Sequence, residues 1–489
     1  MSAAYLLIAI LFPAFAGLIA LRIPFRTVHR GYWYIEITAI ITSVITWVLL
    51  RCVGADPAVL YSFAPGFSIA LSVDGLGRLY AMLVSLMWPI VLLYAFAYME
   101  DEERQRSFFA FYILTYGVTL GVCFSHNIFT LFFFFEVLSL STLPLVSQHQ
   151  DHESMRAARL YGTYLFGGAT LAFVAVVTAT LYGDTLAFRF GGDMVGSFSP
   201  NWIRTLFLFG FFGFGIKAAV LPFHRWLPIA SCAPMPVTAL LHAVAVVNTG
   251  VFSVIRLTYY TFGPELIRGS WAQTVCLLIS AATLLLAAAF AVRERHIKRR
   301  LAYSTVSNLS YMLFGIMLLT TDGFTAGTLH LVFHSITKIT LFLCIGSFMH
   351  VTHKVYLDEV GGAGKYMPFT FVFFTISGLS LTGLPMLCVF ISKWRILSAS
   401  VAQGSAAAYV GIGALLVAAF LCAIYNLSVS IRAFFPVEGT DRFAGQRRSN
   451  EGGWRMVVPI GIFTACQLYF GLHPDWLIAY IERIAEGLL

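Results

Sequence analysis

Stretches of about twenty apolar residues follow one another through almost the whole chain, and they leave it one class of fold. A hydrocarbon core about 30 Å thick is crossed by about 20 helical residues. Helices alone, or closed barrels, keep every backbone polar group paired in lipid. Fourteen stretches qualify, near 3–21, 33–51, 76–98, 107–125, 127–146, 159–182, 203–223, 238–260, 272–292, 300–320, 324–349, 369–391, 407–431 and 456–473. Only 11% of residues are charged, against roughly 25% in a soluble domain. The expected fold is an all-α polytopic membrane protein of about fourteen transmembrane helices, a single membrane domain over 1–489. The largest loops, 183–202 and 432–455, are too short for a soluble domain. No basic segment precedes the first span and a second follows at once, which argues against a cleavable signal.

The net charge of +8 would suggest nucleic acid only if the basic residues shared one surface. They sit instead in short loops between spans. Twenty of the 31 Lys and Arg fall in alternate loops on one side, from Arg22, Arg26 and Arg30 to Arg447, Arg448 and Arg455. Nine fall on the other, and Lys217 and Lys338 remain inside spans. The positive-inside rule places the richer side in the cytoplasm of a cell (inner) membrane. Both termini are then on the non-cytoplasmic side.

None of the eight cysteines forms a C-x-x-C pair, so iron–sulfur and zinc-ribbon ligation have no support. No G-x-G-x-x-G or G-x-x-x-x-G-K-[ST] occurs, so no nucleotide-phosphate loop is expected. No cofactor is expected in the chain itself.

The informative residues are charges at bilayer depth, which are costly and functional by default. Lys217 lies in LFLFGFFGFGIKAAVLPF, before Pro222. Span twelve, SGLSLTGLPMLCVFISKW, combines Gly383, Pro385 and Lys393. Such breaks persist in membranes only against protein or a water-filled cavity. Paired breaks five spans apart point to two five-helix repeats, 107–260 and 272–431, inverted because five is odd. Glu136 follows four phenylalanines in span five. A lysine brought close favours release of its proton and one drawn away favours its return; the alternative is a static ion pair. His330, His334 and Lys338 recur every four residues, along one face of span eleven. Histidines can relay protons; a metal site is the alternative, but a lysine closes the row. His242 in span eight is a candidate link from Lys217 to that column. Lys393, at the end of its stretch, either carries protons on the exit side or reaches to the interface.

GIKAAVLPFHRWLPIASCAPMPVTALLHAV, HIKRRLAYSTVSNLSYM, HLVFHSITKITLFLCIGS, SLTGLPMLCVFISKW and FFFFEVLSLSTLPLV together resemble the antiporter-like membrane subunits. That family is shared by respiratory complex I (NADH:quinone oxidoreductase), Mrp-type cation/proton antiporters and membrane-bound hydrogenases. The resemblance implies inverted repeats over spans four to eight and nine to thirteen. Glu136 and Lys217 are similar to the family's glutamate–lysine pair, Lys338 to its central lysine and Lys393 to the lysine on the broken twelfth helix. Asn248 stands where many members have a lysine. About sixteen residues follow span fourteen, so a long lateral helix is not expected, which favours a middle-type, D-like or hydrogenase-linked subunit. The implied function is proton translocation within a larger complex, through Glu136, Lys217, His242, His330, His334, Lys338 and Lys393. The implied partners are other membrane subunits, the bilayer and possible redox-arm proteins. Redox chemistry would lie in those partners and not in this chain. The alternative is a D-like component of an Mrp-type antiporter that exchanges Na⁺ or K⁺ for H⁺.

Overall fold

A computed structural model describes residues 2–22, 27–54, 56–64, 67–192, 194, 199–447, 449 and 451–487. Arg26 and Arg448, two of the basic residues used for topology, lie outside them. The first six spans are α1 (Leu6–Arg22), α2 (Val28–Cys52), α3 (Gly75–Tyr98), α4 (Gln105–Cys123), α5 (Ile128–Val146) and α6 (His152–Tyr182). Side-chain caps set several starts. Asp74 accepts from Gly77 N–H at 2.8 Å, Asn127 from Thr130 and Asp151 from Ser154, both at 2.6 Å, which satisfies N–H groups that the helix cannot.

Span seven is α7 (Pro200–Gly215), continued after a break by the one-turn α8 (Trp226–Ala230). Span eight is α9 (Met235–Ala243) and α10 (Val246–Ile255), extended by a π-helical turn over Arg256–Phe262. The short α11 (Pro264–Ile267) leads to α12 (Trp271–Arg293), α13 (Ile297–Met317) and α14 (Thr321–Thr352). After α15 (Ala363–Tyr366), span twelve is α16 (Pro368–Thr382) and α17 (Cys388–Gln403). Then follow α18 (Ala406–Phe434), α19 (Trp454–Leu472) and α20 (Asp475–Glu486).

Each of the fourteen apolar stretches is therefore helical, and the chain is an all-α polytopic membrane protein. Among the described residues, 11 helices are long and apolar enough to cross a membrane. The other three stretches differ for physical reasons. The breaks that follow them shorten α7 and α16 to 16 and 15 residues. The 21-residue α13 is long enough but polar, with Lys298, Arg299 and Arg300 in its first turn.

The loops gather at two ends of the helices. At one end Phe188 N–H donates to His126 O (3.0 Å), Arg189 N–H to Tyr260 O (3.2 Å) and the Tyr480 hydroxyl to Gly75 O (3.0 Å). At the other, Ile297 N–H donates to Val355 O (3.0 Å) and Gly362 N–H to Arg432 O (3.2 Å). The centre is α14, buried at every residue from Gly323 to Phe348. The outer helices expose Phe15, Val44, Leu181, Phe420 and similar residues, as lipid contact requires.

Two elements lie outside the expected pattern. An antiparallel hairpin, β1 (Ala58–Ala64) and β2 (Phe67–Leu71), follows α2. Helix α20 buries Leu477, Ile481, Ile484 and Ala485 on one face, and Arg395 of α17 pairs with its Glu482 at 2.7 Å.

Candidate functional site

The site is built on the three broken spans. A break releases backbone groups that cannot stay unpaired in a dry interior, where each costs about 1–3 kcal/mol. Helix α7 stops at Gly215. The Trp226 indole then donates to Ile216 O (2.8 Å), and Leu221 N–H donates to the Thr283 hydroxyl of α12 (3.2 Å). Span eight breaks at Val244 and Ala245, which sequence reasoning did not foresee. There the Tyr80 hydroxyl of α3 donates to Val244 O (2.7 Å) and Asn248 Nδ2 to Ala243 O (2.8 Å). Span twelve breaks at Gly383, whose φ of 101° suits glycine. Here Lys393 Nζ donates to Leu381 O (2.6 Å), with Thr382 O at 3.4 Å.

Lys217 is fully buried in the first break. Its amine crosses to α5, donates to Phe135 O and sits 3.6 Å from the centroid of the Phe135 ring. Its backbone packs on Gly250 of α10, where an added Cβ would lie 2.9 Å from Lys217 Cβ. Glu136 is the next residue along α5, and its Oε1 is buried without a hydrogen-bond partner. The two charges make no ion pair within 4.0 Å. They are neighbours, and a backbone carbonyl holds the amine.

Helix α14 holds His330, His334 and Lys338 on one line, all fully buried. The two imidazole centroids are 6.2 Å apart. His330 Nδ1 shares a hydrogen bond with the Ser392 hydroxyl at 2.9 Å, and Ser392 precedes Lys393. Both nitrogens of His334 lack partners. Lys338 donates to Leu301 O (3.1 Å) and to the Ser304 hydroxyl of α13. The Phe342 ring lies 4.9 Å from His242 and 5.8 Å from Lys338 Nζ. His242 is fully buried, with neither nitrogen partnered. Lys393 is 6% exposed and lies 4.7 Å from the Tyr311 ring, which stands 5.5 Å from the His330 ring. It therefore points inward and not to the interface, because span twelve continues past its break to Gln403.

Sequence reasoning missed Lys298 and, although it noted Asn248 in the place of a lysine, did not give the bonds that Asn248 makes. Asn248 Nδ2 also donates to the Ser335 hydroxyl (2.7 Å), which ties span eight to the residue beside His334. Lys298, read as a loop cation, is 5% exposed, and its amine donates to Ala233 O at the entry to α9. The one available signal was its helical spacing from Leu301 and Ser304, the two groups that hold Lys338. All four buried lysines thus rest on neutral oxygens. A neutral amine can still donate to such acceptors, so losing a proton does not empty the site. Among the described residues no cluster of His, Cys, Asp or Glu is placed to hold a metal.

Residues 125–422, more than half the chain, match the family model described as NADH:quinone oxidoreductase/Mrp antiporter, TM. The chain belongs to that family. Across 94% of its length it is 28% identical to the Na(+)/H(+) antiporter subunit A1 of Staphylococcus haemolyticus (strain JCSC1435). Over 93% it is 27% identical to the subunit A1 of Staphylococcus aureus. It spans only about 60% of the length of these curated relatives. The resemblance read from sequence, to the family that holds middle-type, D-like and hydrogenase-linked subunits, agrees with this family, and the curated relatives named here are subunit A1 chains. The fold is that of a chain in the membrane-bound sulfane sulfur reductase, an archaeal respiratory membrane complex. That match has a TM-score of 0.86 at 20% identity and covers 99% of this chain and 97% of that one. It is also the fold of a chain in the Mrp complex from Dietzia sp. DQ12-45-1b, with a TM-score of 0.83 at 22% identity, covering 99% and 96%.

Proposed function

We propose that this family member is a proton-translocating subunit of a multi-subunit membrane complex. The observation that carries the reading is that Lys217, His242, His330, His334, Lys338 and Lys393 are all buried, on the three broken spans and the central α14, with Glu136 beside Lys217. The proposed line runs from Glu136 and Lys217 through His242 to Lys338, then along His334 and His330 to Ser392 and Lys393, with Asn248 and Ser335 beside it. Lys338 and His242 meet at Phe342. Buried imidazole nitrogens without a protein partner need water or a proton donor to avoid an unpaired-group cost of about 1–3 kcal/mol, and His242, His330 and His334 supply five of them. Glu136 sets the charge state of Lys217 by proximity. Movement of that lysine between Phe135 O and the column passes a proton inward, and Lys393 releases it.

Protons enter from the basic-rich face, which faces the cytoplasm, and both termini lie on the opposite side of the cell membrane. The repeats 107–260 and 272–431 place Lys217 and Lys393 in corresponding breaks, so each repeat contributes one lysine gate. Energy comes from partner subunits, either a redox arm or a coupled ion. The subunit A1 relatives favour a second reading, in which the complex is an Mrp-type antiporter and Na⁺ or K⁺ drives the protons. The test is proton flux by the assembled complex in vesicles, with and without a sodium gradient. Glu136→Gln and Lys217→Ala are expected to abolish flux and leave assembly intact. Wild-type flux in both would overturn the proposal. Sodium-driven flux without an electron donor would decide for the antiporter.

A further inference from the structure

At the end of the molecule that carries most of the basic residues, a cavity of about 910 Å³ opens where α6 begins, α8 turns, α12 ends and α13 begins. Four guanidinium groups face it: Arg156 and Arg159 of α6, Arg225 before α8 and Arg299 of α13. Two carboxylates, Glu153 and Glu294, also line it, with His152 at the edge. Two carboxylates against four guanidinium groups leave the lining with a net positive charge. Glu153 meets Arg299 at 3.4 Å, and Glu294 accepts the His296 backbone N–H at 3.0 Å. Arg159 Nε donates to Met155 O at 3.3 Å. Arg156 and Arg225 have no hydrogen bond or ion pair among the described residues, so two cations face the cavity uncompensated. Its remaining wall is mostly apolar or aromatic, through Leu160, Tyr164 and Tyr303, with Thr163 among them. Just deeper along the same helices, Phe166 and Phe290 are 41% and 37% exposed on the lipid-facing surface.

We propose that this cavity binds the headgroup of an acidic phospholipid. Its phosphate lies between Arg156 and Arg225, and its acyl chains run down past Phe166 and Phe290. Basic pockets between helices at the membrane border select such headgroups by charge, while the apolar wall distinguishes a lipid from a free anion. Arg225 stands on the turn that closes the Lys217 break, so the bound headgroup also braces span seven. This holds whichever ion the complex carries.

The test is native mass spectrometry of the full chain in mild detergent, titrated with phosphatidylglycerol, phosphatidylcholine or inorganic phosphate. A basic side chain at an anionic surface is worth roughly fivefold in binding. The double variant Arg156→Gln/Arg225→Gln is therefore expected to lose phosphatidylglycerol affinity by about thirtyfold, while Arg156→Lys/Arg225→Lys keeps most of it. Both positions are exposed, so melting without lipid should match the wild type and show that the variant is folded. Equal binding of the two lipids, or wild-type phosphatidylglycerol binding by the glutamine variant, would overturn the proposal. Displacement of the lipid by phosphate at equal concentration would also overturn it and leave a free-anion site.

Discussion

Gly250→Ala is a small change with a large expected effect, because α10 touches the Lys217 break through this glycine. An added methyl carbon would lie closest to the Ala218 amide nitrogen, 2.8 Å from the Lys217 carbonyl carbon and 2.9 Å from Lys217 Cβ. Ordinary carbon contacts begin near 3.5 Å, so the two segments must part by about half an ångström or more. Overpacking of this kind costs about 1–3 kcal/mol. The clash falls on the Lys217–Ala218 backbone, so relief shifts that segment away from α10 and draws the Lys217 amine off Phe135 O; if the whole strain falls on the seat, its population drops roughly 5- to 150-fold. Proton flux in vesicles that hold the assembled complex should fall by a factor in that range, with little loss of assembled protein. Gly167→Ala is the control, since nothing lies within 4 Å of a Cβ there. Flux within twofold of wild type for Gly250→Ala would refute the argument that backbone packing of span eight on span seven seats Lys217.

Other substitutions test the rest of the frame. Tyr80→Phe leaves Val244 O without its partner, while Ala245 O keeps the Thr249 N–H at 3.3 Å; detergent melting should show a loss of about 1–3 kcal/mol, and an unchanged midpoint would remove Tyr80 as the brace of span eight. Lys393→Met should abolish flux and also destabilise span twelve, because Thr382 O loses its amine donor and Leu381 O keeps only the weak Cys422 thiol donor at 3.5 Å. Lys393→Arg should restore stability without flux, since an arginine does not release its proton; flux in the arginine variant would contradict proton release at this position. Asp74→Ala leaves buried Arg256 unpaired, and removing one partner of such a pair costs about 3–5 kcal/mol. The double variant Asp74→Leu/Arg256→Leu should melt closer to wild type, and equal losses in both would show that the pair itself is not what matters.

The spans were legible because the bilayer imposes one length and one polarity on every crossing. The breaks at Lys217 and Gly383 were legible because glycine, proline and lysine coincide there. The break after Ala243 was not: HAVAVVNTG contains no proline, and the departure is held open by Tyr80, more than 160 residues away. Residue type marked Glu136 and Lys217 as partners but could not show that a carbonyl, and not the carboxylate, holds the amine. Lys298 was hidden because it lies in a basic run that reads as loop, and only tertiary packing closes Ala233 over it. Lys393 was left between an exit-side carrier and an interfacial lysine because its helix was expected to end near 391, whereas helix resumes after the break. The β1–β2 hairpin and α20 went unread because both lie outside the apolar stretches.

The most direct test of the central claim is proton flux through the assembled complex with Lys338→Met. Lys338 sits fully buried midway along α14, and it is held by Leu301 O and the Ser304 hydroxyl. Methionine keeps most of its volume and removes its proton. The account predicts a complex that assembles normally and moves no protons above the leak of empty vesicles. Flux at the wild-type rate would mean that protons do not travel along this line.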